Sequence, residues 1–117
     1  MTTAATSLSS EAQAFLKALA SPTRQQIMFA FDGGGELTVG DVAERLELAQ
    51  SATSTHLAML RDAGILVARR DWKTVYYRAN PAGFLKSLDD LRDYLMACCP
   101  PDCAASSQQA GDEAAQS

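Results

Sequence analysis

The stretch that most narrows what this chain can become is residues 50–64, Gln-Ser-Ala-Thr-Ser-Thr-His-Leu-Ala-Met-Leu-Arg-Asp-Ala-Gly. Its periodicity predicts a helix of about 14 residues, roughly 21 Å long, with Leu57 and Leu60 turned inward. Thr55 falls almost opposite those leucines, flanked by Ser51 and Ala58. A solvated helix face ordinarily carries Glu and Lys. Short Ser, Thr and Ala side chains instead let a helix lie close against another surface, such as the floor of a DNA major groove.

The residues before this helix give it a frame. Residues 1–10 are small and polar and are expected to be flexible. Phe15, Leu16 and Leu19 recur at helical spacing in a first helix. Ser21 is a natural N-cap and Pro22 suits the first position of a second helix, which ends near Phe31 before the run Asp32-Gly-Gly-Gly35. Residues 36–37 are short enough for only a minimal strand. Thr38-Val-Gly-Asp41 has the form of a capping box opening a third helix, with Val42 and Leu46 inward. A turn at Glu47-Leu48-Ala49 then leads into the helix described first. A short helix, a tight turn and a second helix make a helix-turn-helix, whose second helix reads bases.

Gly64 is placed to stop the reading helix. Ile65-Leu-Val-Ala-Arg-Arg70 and Thr74-Val-Tyr-Tyr-Arg-Ala79, joined by Asp71-Trp72-Lys73, predict a hairpin with a basic, aromatic tip, that is, a wing. Asn80 and Pro81 open a last helix to about Ala97, with Phe84, Leu85, Leu88, Leu91 and Leu95 in one stripe, ended by Pro100-Pro101. This stripe and the first helix offer more apolar surface than one small core needs. The excess is expected to form a homodimer, which would set two reading helices about 34 Å apart on successive major grooves. The fold class expected is mainly α with a small β-hairpin, a homodimeric winged helix-turn-helix. Residues 1–10 form a flexible lead, 11–99 the DNA-binding and dimerisation domain, and 100–117 a cysteine segment with a disordered tail.

The net charge of −4 at first argues against a polyanionic partner. Its distribution reverses that: residues 50–78 hold Arg61, Arg69, Arg70, Lys73 and Arg78 against Asp62 and Asp71, and the acidic excess lies elsewhere. The field is local under physiological screening, so a basic patch on an acidic body still suits phosphates. Candidate DNA contacts are Gln50, Ser51, Ser54 and Thr55 on the helix and Arg69, Arg70, Lys73 and Arg78 on the hairpin. His56 is equally suited to half-buried packing or to a DNA contact. No apolar run approaches the ~18 residues of a membrane span, and the amino-terminal residues lack the blocks of a secretory signal; the expectation is a cytoplasmic protein. The Gly-rich phosphate loop and the nucleophile–base spacing of an enzyme are missing, so none is expected.

Ser21-Pro-Thr-Arg-Gln-Gln-Ile, Asp41-Val-Ala-Glu-Arg-Leu, Gln50-Ser-Ala-Thr-Ser-Thr-His-Leu and Leu60-Arg-Asp-Ala-Gly-Ile-Leu together resemble the ArsR/SmtB family of winged-helix repressors. The resemblance covers roughly residues 11–97 and implies a homodimer on operator DNA that represses until an inducer binds. Where members of that family carry Cys-Val-Cys for arsenic, this chain has Thr38-Val39-Gly40. Where others place His and carboxylates on the last helix for zinc or nickel, it has Asp89, Asp90 and Asp93 without His. Ala49 replaces a frequent Ser before the reading helix, forgoing an N-cap worth about 1 kcal/mol.

What remains is Cys98-Cys99-Pro-Pro-Asp-Cys103. Three cysteines within six residues are a poor disulfide framework. Three thiolates suit a soft ion with pyramidal three-coordinate geometry, As(III) or Sb(III), with Cys98 and Cys99 supplying two sulfurs and the Pro-Pro bend returning Cys103 as the third. Related arsenic repressors with cysteines after the last helix are similar. A thiol-redox switch, a soft-metal (Zn, Cd, Pb) site, or a metalloid carrier without DNA binding are the competing readings.

Overall fold

The computed structural model describes residues 7–100. Cys103, the tail and residues 1–6 lie outside the described residues, and so do the expectations placed on them. Five helices and one small sheet follow in the order α1 (Ser10–Leu19), α2 (Pro22–Phe29), β1 (Leu37–Thr38), α3 (Val39–Leu46), α4 (Gln50–Asp62), β2 (Leu66–Asp71), β3 (Thr74–Ala79) and α5 (Pro81–Cys98). The order is the one the sequence predicts, with displaced ends. The first strand is Leu37–Thr38 instead of residues 36–37, because Leu37 pairs with Tyr77 and Thr38 with Tyr76. That register puts Leu37 and Tyr77 together in the core.

Side chains set most of the helix starts. The Ser9 and Ser21 hydroxyls accept from the amides of Ala12 and Arg24. Thr38 and Asp41 close the capping box in both directions, at 3.1 and 3.0 Å. Two helix ends use a left-handed residue: Glu47 (φ 56) after α3 and Gly64 (φ 80) after α4. At the second, Gly64 donates to the Arg61 carbonyl and Ile65 to the Leu60 carbonyl, so the turn that stops α4 also drops Ile65 into the core beside Leu60.

The core joins Phe15 and Ala18 of α1, Ile27 of α2, Phe31, Val42 of α3, Leu57 and Leu60 of α4, and Ile65, Leu66 and Tyr77 of the sheet region. The sheet is antiparallel, in the order β1-β3-β2. Glycine at 83 is required by packing: a Cβ there would collide with the Gly64 carbonyl and the Asn80 amide, and Asn80 itself donates to that carbonyl at 3.0 Å. The start of α5 is thereby drawn onto the end of α4. Of the predicted stripe on α5, Phe84 packs on the core, whereas Leu85, Leu88 and Leu95 stay exposed; Leu16 of α1 is exposed as well. Excess apolar surface is present within one chain, much of it on α1 and α5, with Phe29 of α2 and Met59 of α4 exposed as well.

Candidate nucleic-acid interface and thiol cluster

Along α4 the two faces separate as the periodicity predicts. Thr53, Leu57 and Leu60 are fully buried, while Gln50, Ser51, Ser54 and Thr55 are exposed. The Thr55 hydroxyl donates to the Ser51 carbonyl at 3.2 Å, which leaves its oxygen as an acceptor for anything outside. Ala49 provides no side-chain cap, so the amides of the first turn of α4 face outward without a side-chain acceptor, at the positive end of the helix dipole. The Gln50 amide lies against the first turn of α3: a Cβ added to Gly40 would sit 3.8 Å from Gln50 Nε2. An open cleft of ≈ 370 Å³ runs between Thr38, Gly40, Gln50, Lys73, Thr74 and Val75, which joins the starts of both helices to the wing.

His56 is half-buried, and its environment was not legible locally. Arg24 Nη1 donates to His56 Nδ1 at 3.2 Å; a guanidinium cannot accept, so Nδ1 is the acceptor and the ring proton sits on Nε2. The same guanidinium donates to the Ala18 carbonyl at 2.7 Å and meets Met59 Sδ at 3.4 Å. Arg24 therefore ties the end of α1 to the middle of α4, a positioning task that no local sequence signal announces.

On the wing the four basic residues do not share one environment. The register pairs Arg69 with Tyr76, Val67 with Arg78 and Arg70 with Val75. Side chains alternate across a strand, so Arg69 and Arg78 lie on one face and Arg70 on the other, with Lys73 in the turn. Arg69 is held by Glu36 through two bonds of 2.9 and 2.7 Å and lies over the Tyr76 ring at 4.6 Å. The hydrogen bond from Arg69 holds the Glu36 carboxyl below its ordinary range, and Glu36 raises the guanidinium in return. Arg70, Lys73 and Arg78 make no ion pair among the described residues. Trp72, at φ 60, is 80% exposed at the tip and does not pack on the strands.

At the far end of α5, Cys98 is the last helical residue, one residue beyond the predicted helix end at Ala97, and Cys99 follows as its cap. Both are exposed, with their sulfurs 2.9 Å apart. The hydrogen bond with Cys99 pushes the Cys98 thiol above its ordinary range, and desolvation and the charge of Cys99 act in the same direction. Among the described residues no three metal-ligating side chains come together; the third sulfur of the expected set, that of Cys103, lies outside them.

A helix-turn-helix followed at once by a hairpin, with a terminal helix closing the core, defines a winged helix-turn-helix protein. Residues 21–67 match the pattern of the bacterial regulatory proteins of the arsR family. The chain is 46% identical over 65 residues to the arsenic resistance transcriptional regulator ArsR1 of Pseudomonas putida, covering 56% of this chain and 51% of that protein. It is 32% identical over 92 residues to the biofilm growth-associated repressor of Agrobacterium fabrum, covering 79% and 76%. Reduced HlyU from Vibrio cholerae superposes with a TM-score of 0.54 at 37% identity, covering 78% of this chain and 90% of that one. This chain belongs to the arsR family of bacterial regulatory proteins. It spans about half the length of the Pseudomonas regulator (51%).

Proposed function

We propose that this chain is a transcriptional repressor that binds double-stranded operator DNA as a homodimer and releases it when As(III) or Sb(III) is captured by Cys98, Cys99 and Cys103. The DNA surface consists of Gln50, Ser51, Ser54, Thr55 and His56 of α4 with Arg70 and Lys73 at the wing tip. Arg69 and Arg78 sit further back, and Arg69 contributes mainly by fixing the wing to Glu36. The dimer forms through the exposed leucines of α1 and α5. That the Pseudomonas relative is an arsenic resistance regulator supports the reading.

The inducer assignment is carried by one observation, the two exposed thiols 2.9 Å apart at the end of α5. Arsenous acid fits them chemically. Each As–OH bond is exchanged for an As–S bond, and each thiol proton leaves with a hydroxide as water, so no electron moves and no net proton is released. A divalent soft cation must instead expel the thiol protons to solvent.

The test is a fluorescence-anisotropy titration of promoter DNA, followed by arsenite, antimonite, cadmium, zinc and peroxide in turn. Arsenite is expected to weaken DNA binding by about 5- to 150-fold, the usual range of an allosteric coupling. That effect should be unchanged across neutral pH, while any effect of cadmium grows as pH rises. Single Ser variants at Cys98, Cys99 or Cys103 should keep DNA affinity and lose the response; a triple variant that still responds would show the site assignment to be wrong. If metalloid binds and no salt-dependent DNA binding is found, the chain is a carrier.

A further inference from the structure

We propose that Arg24 is a positioning residue for the reading helix and that a proton taken up by His56 undoes its hold, so that acid weakens DNA binding; this rests on the DNA-binding reading above. The first observation is how one guanidinium is shared. Nε donates to the Ala18 carbonyl at 2.7 Å and Nη2 to the Lys17 carbonyl at 3.4 Å. Arg24 thus closes the carboxyl end of α1, where unpaired carbonyls and the negative end of the helix dipole favour a cation. Nη1 is left for α4, where it meets His56 Nδ1 at 3.2 Å and Met59 Sδ at 3.4 Å. The neutral ring is therefore what latches α4 to the end of α1.

The second observation is what surrounds the ring. An imidazolium carries a proton on both nitrogens and cannot accept from a guanidinium, so proton uptake turns the 3.2 Å contact into two facing cations. Neither Arg24 nor His56 is in an ion pair among the described residues. On α4 the ring's helical neighbours Ala52, Thr53, Met59 and Leu60 are uncharged, and the helix's one carboxylate, Asp62, is held by Arg61. From α1, Lys17 lines the groove beside Met59, while Glu11 lies further off beside Gly64 and Gly83. On α3, Asp41 is bonded to Thr38, Arg45 to the Ala30 carbonyl, and Glu44 is exposed. On β2, Arg69 is bonded to Glu36, and Arg70 and Asp71 lie at the hairpin turn. Two α1 carbonyls hold Arg24 in place, so it is the ring, and α4 with it, that gives way. The third observation is that His56 is the sole histidine, and histidine is the side chain whose charge ordinarily changes between about pH 5 and 8. The sign is distinctive, because an added positive charge on a DNA-binding face would by itself strengthen attachment to phosphates.

The experiment is an anisotropy titration of promoter DNA with the full chain at constant ionic strength, from about pH 7.5 to about pH 5.5, with circular dichroism at each pH. The wild-type chain is expected to bind about tenfold more weakly at the acid end, within the usual range of such couplings, with its helix signal unchanged. His56→Gln offers Arg24 an amide oxygen that accepts and does not titrate; whatever its affinity at the neutral end, it should keep it at the acid end. Arg24→Met, which has no donor, should bind more weakly at neutral pH and lose the acid weakening, and Arg24→Lys, which still donates, should restore part of it. A wild-type affinity that stays level or rises on acidification, or a His56→Gln chain that weakens as much as the wild type, would overturn the proposal alone. A helix signal lost in step with binding makes the change unfolding and overturns it too. Absence of DNA binding by the wild-type chain at neutral pH overturns the underlying reading and this one with it.

Discussion

Two residues at positive φ, one a glycine and one a glutamate, differ in how far the sequence announces them. Gly64 (φ 80) and Glu47 (φ 56) do the same job, closing a helix with a reversed residue whose successor returns to the core. Gly64 is legible from sequence because glycine is the usual residue there; Glu47 is not, since nothing about a glutamate announces a left-handed backbone. Glu47→Gly should stabilise the domain by about 0.5–1 kcal/mol and Gly64→Ala should destabilise it by about 1–2 kcal/mol. Urea unfolding followed by circular dichroism checks both, and a Glu47→Gly variant with a lowered midpoint would mean that the glutamate has a role the backbone does not explain. Arg69 teaches a similar lesson. Charge alone makes it a phosphate contact equal to its neighbours, yet it is spoken for by Glu36 across 33 residues of chain.

Among the elements, α3 was the most readable, because its start is written in four consecutive residues. Thr38 and Asp41 exchange hydrogen bonds, and the bonds that Asp41 receives from Thr38 hold its carboxyl below the ordinary 3.8. Glu36 is likewise held below 4.5 by Arg69. A carboxyl lowered in the folded state stabilises fully above its ordinary value and loses that contribution as pH falls through the lowered one. The melting temperature should therefore fall as pH drops from about 5 to about 2, and Asp41→Asn should flatten part of that slope. A wild-type profile no steeper than that of the variant would remove Asp41 from the account. The helix α4 was legible for a different reason, since its buried Leu57 and Leu60 recur at helical spacing. Its exposed hydroxyl face is as predicted, but the Arg24 brace on His56 comes from a helix 32 residues away. The wing strands were readable as a hairpin, although only their register shows which basic side chains share a face.

For the molecule as a unit, the open question a single chain poses is where its apolar surplus goes. Leu85, Leu88 and Leu95 of α5 and Leu16 of α1 are exposed together on the two terminal helices, and α5 ends in the two thiols. In the proposed dimer the same helices bury their leucines and carry the inducer's effect to α4, by way of Arg24 on one side and the Gly83–Gly64 contact on the other. Leu88→Glu should shift sedimentation from dimer to monomer and weaken operator binding by more than tenfold, because each half-site would then bind alone. A Leu88→Glu chain that still sediments as a dimer would place the interface elsewhere.

The amino-acid sequence on its own determined what is written over a few consecutive residues: where helices start and stop, which of their faces are apolar, that a hairpin follows the second helix of the motif, and that the thiols cluster. Those signals are local because capping bonds, turn conformations and helical periodicity span about one to four residues. Folding in three dimensions decided the rest. It paired Glu36 with Arg69 and Arg24 with His56, pressed Gly83 onto Gly64, and left Trp72 standing free on a strained turn. Each of these depends on which distant segments meet, and that is set by the packing of the whole core.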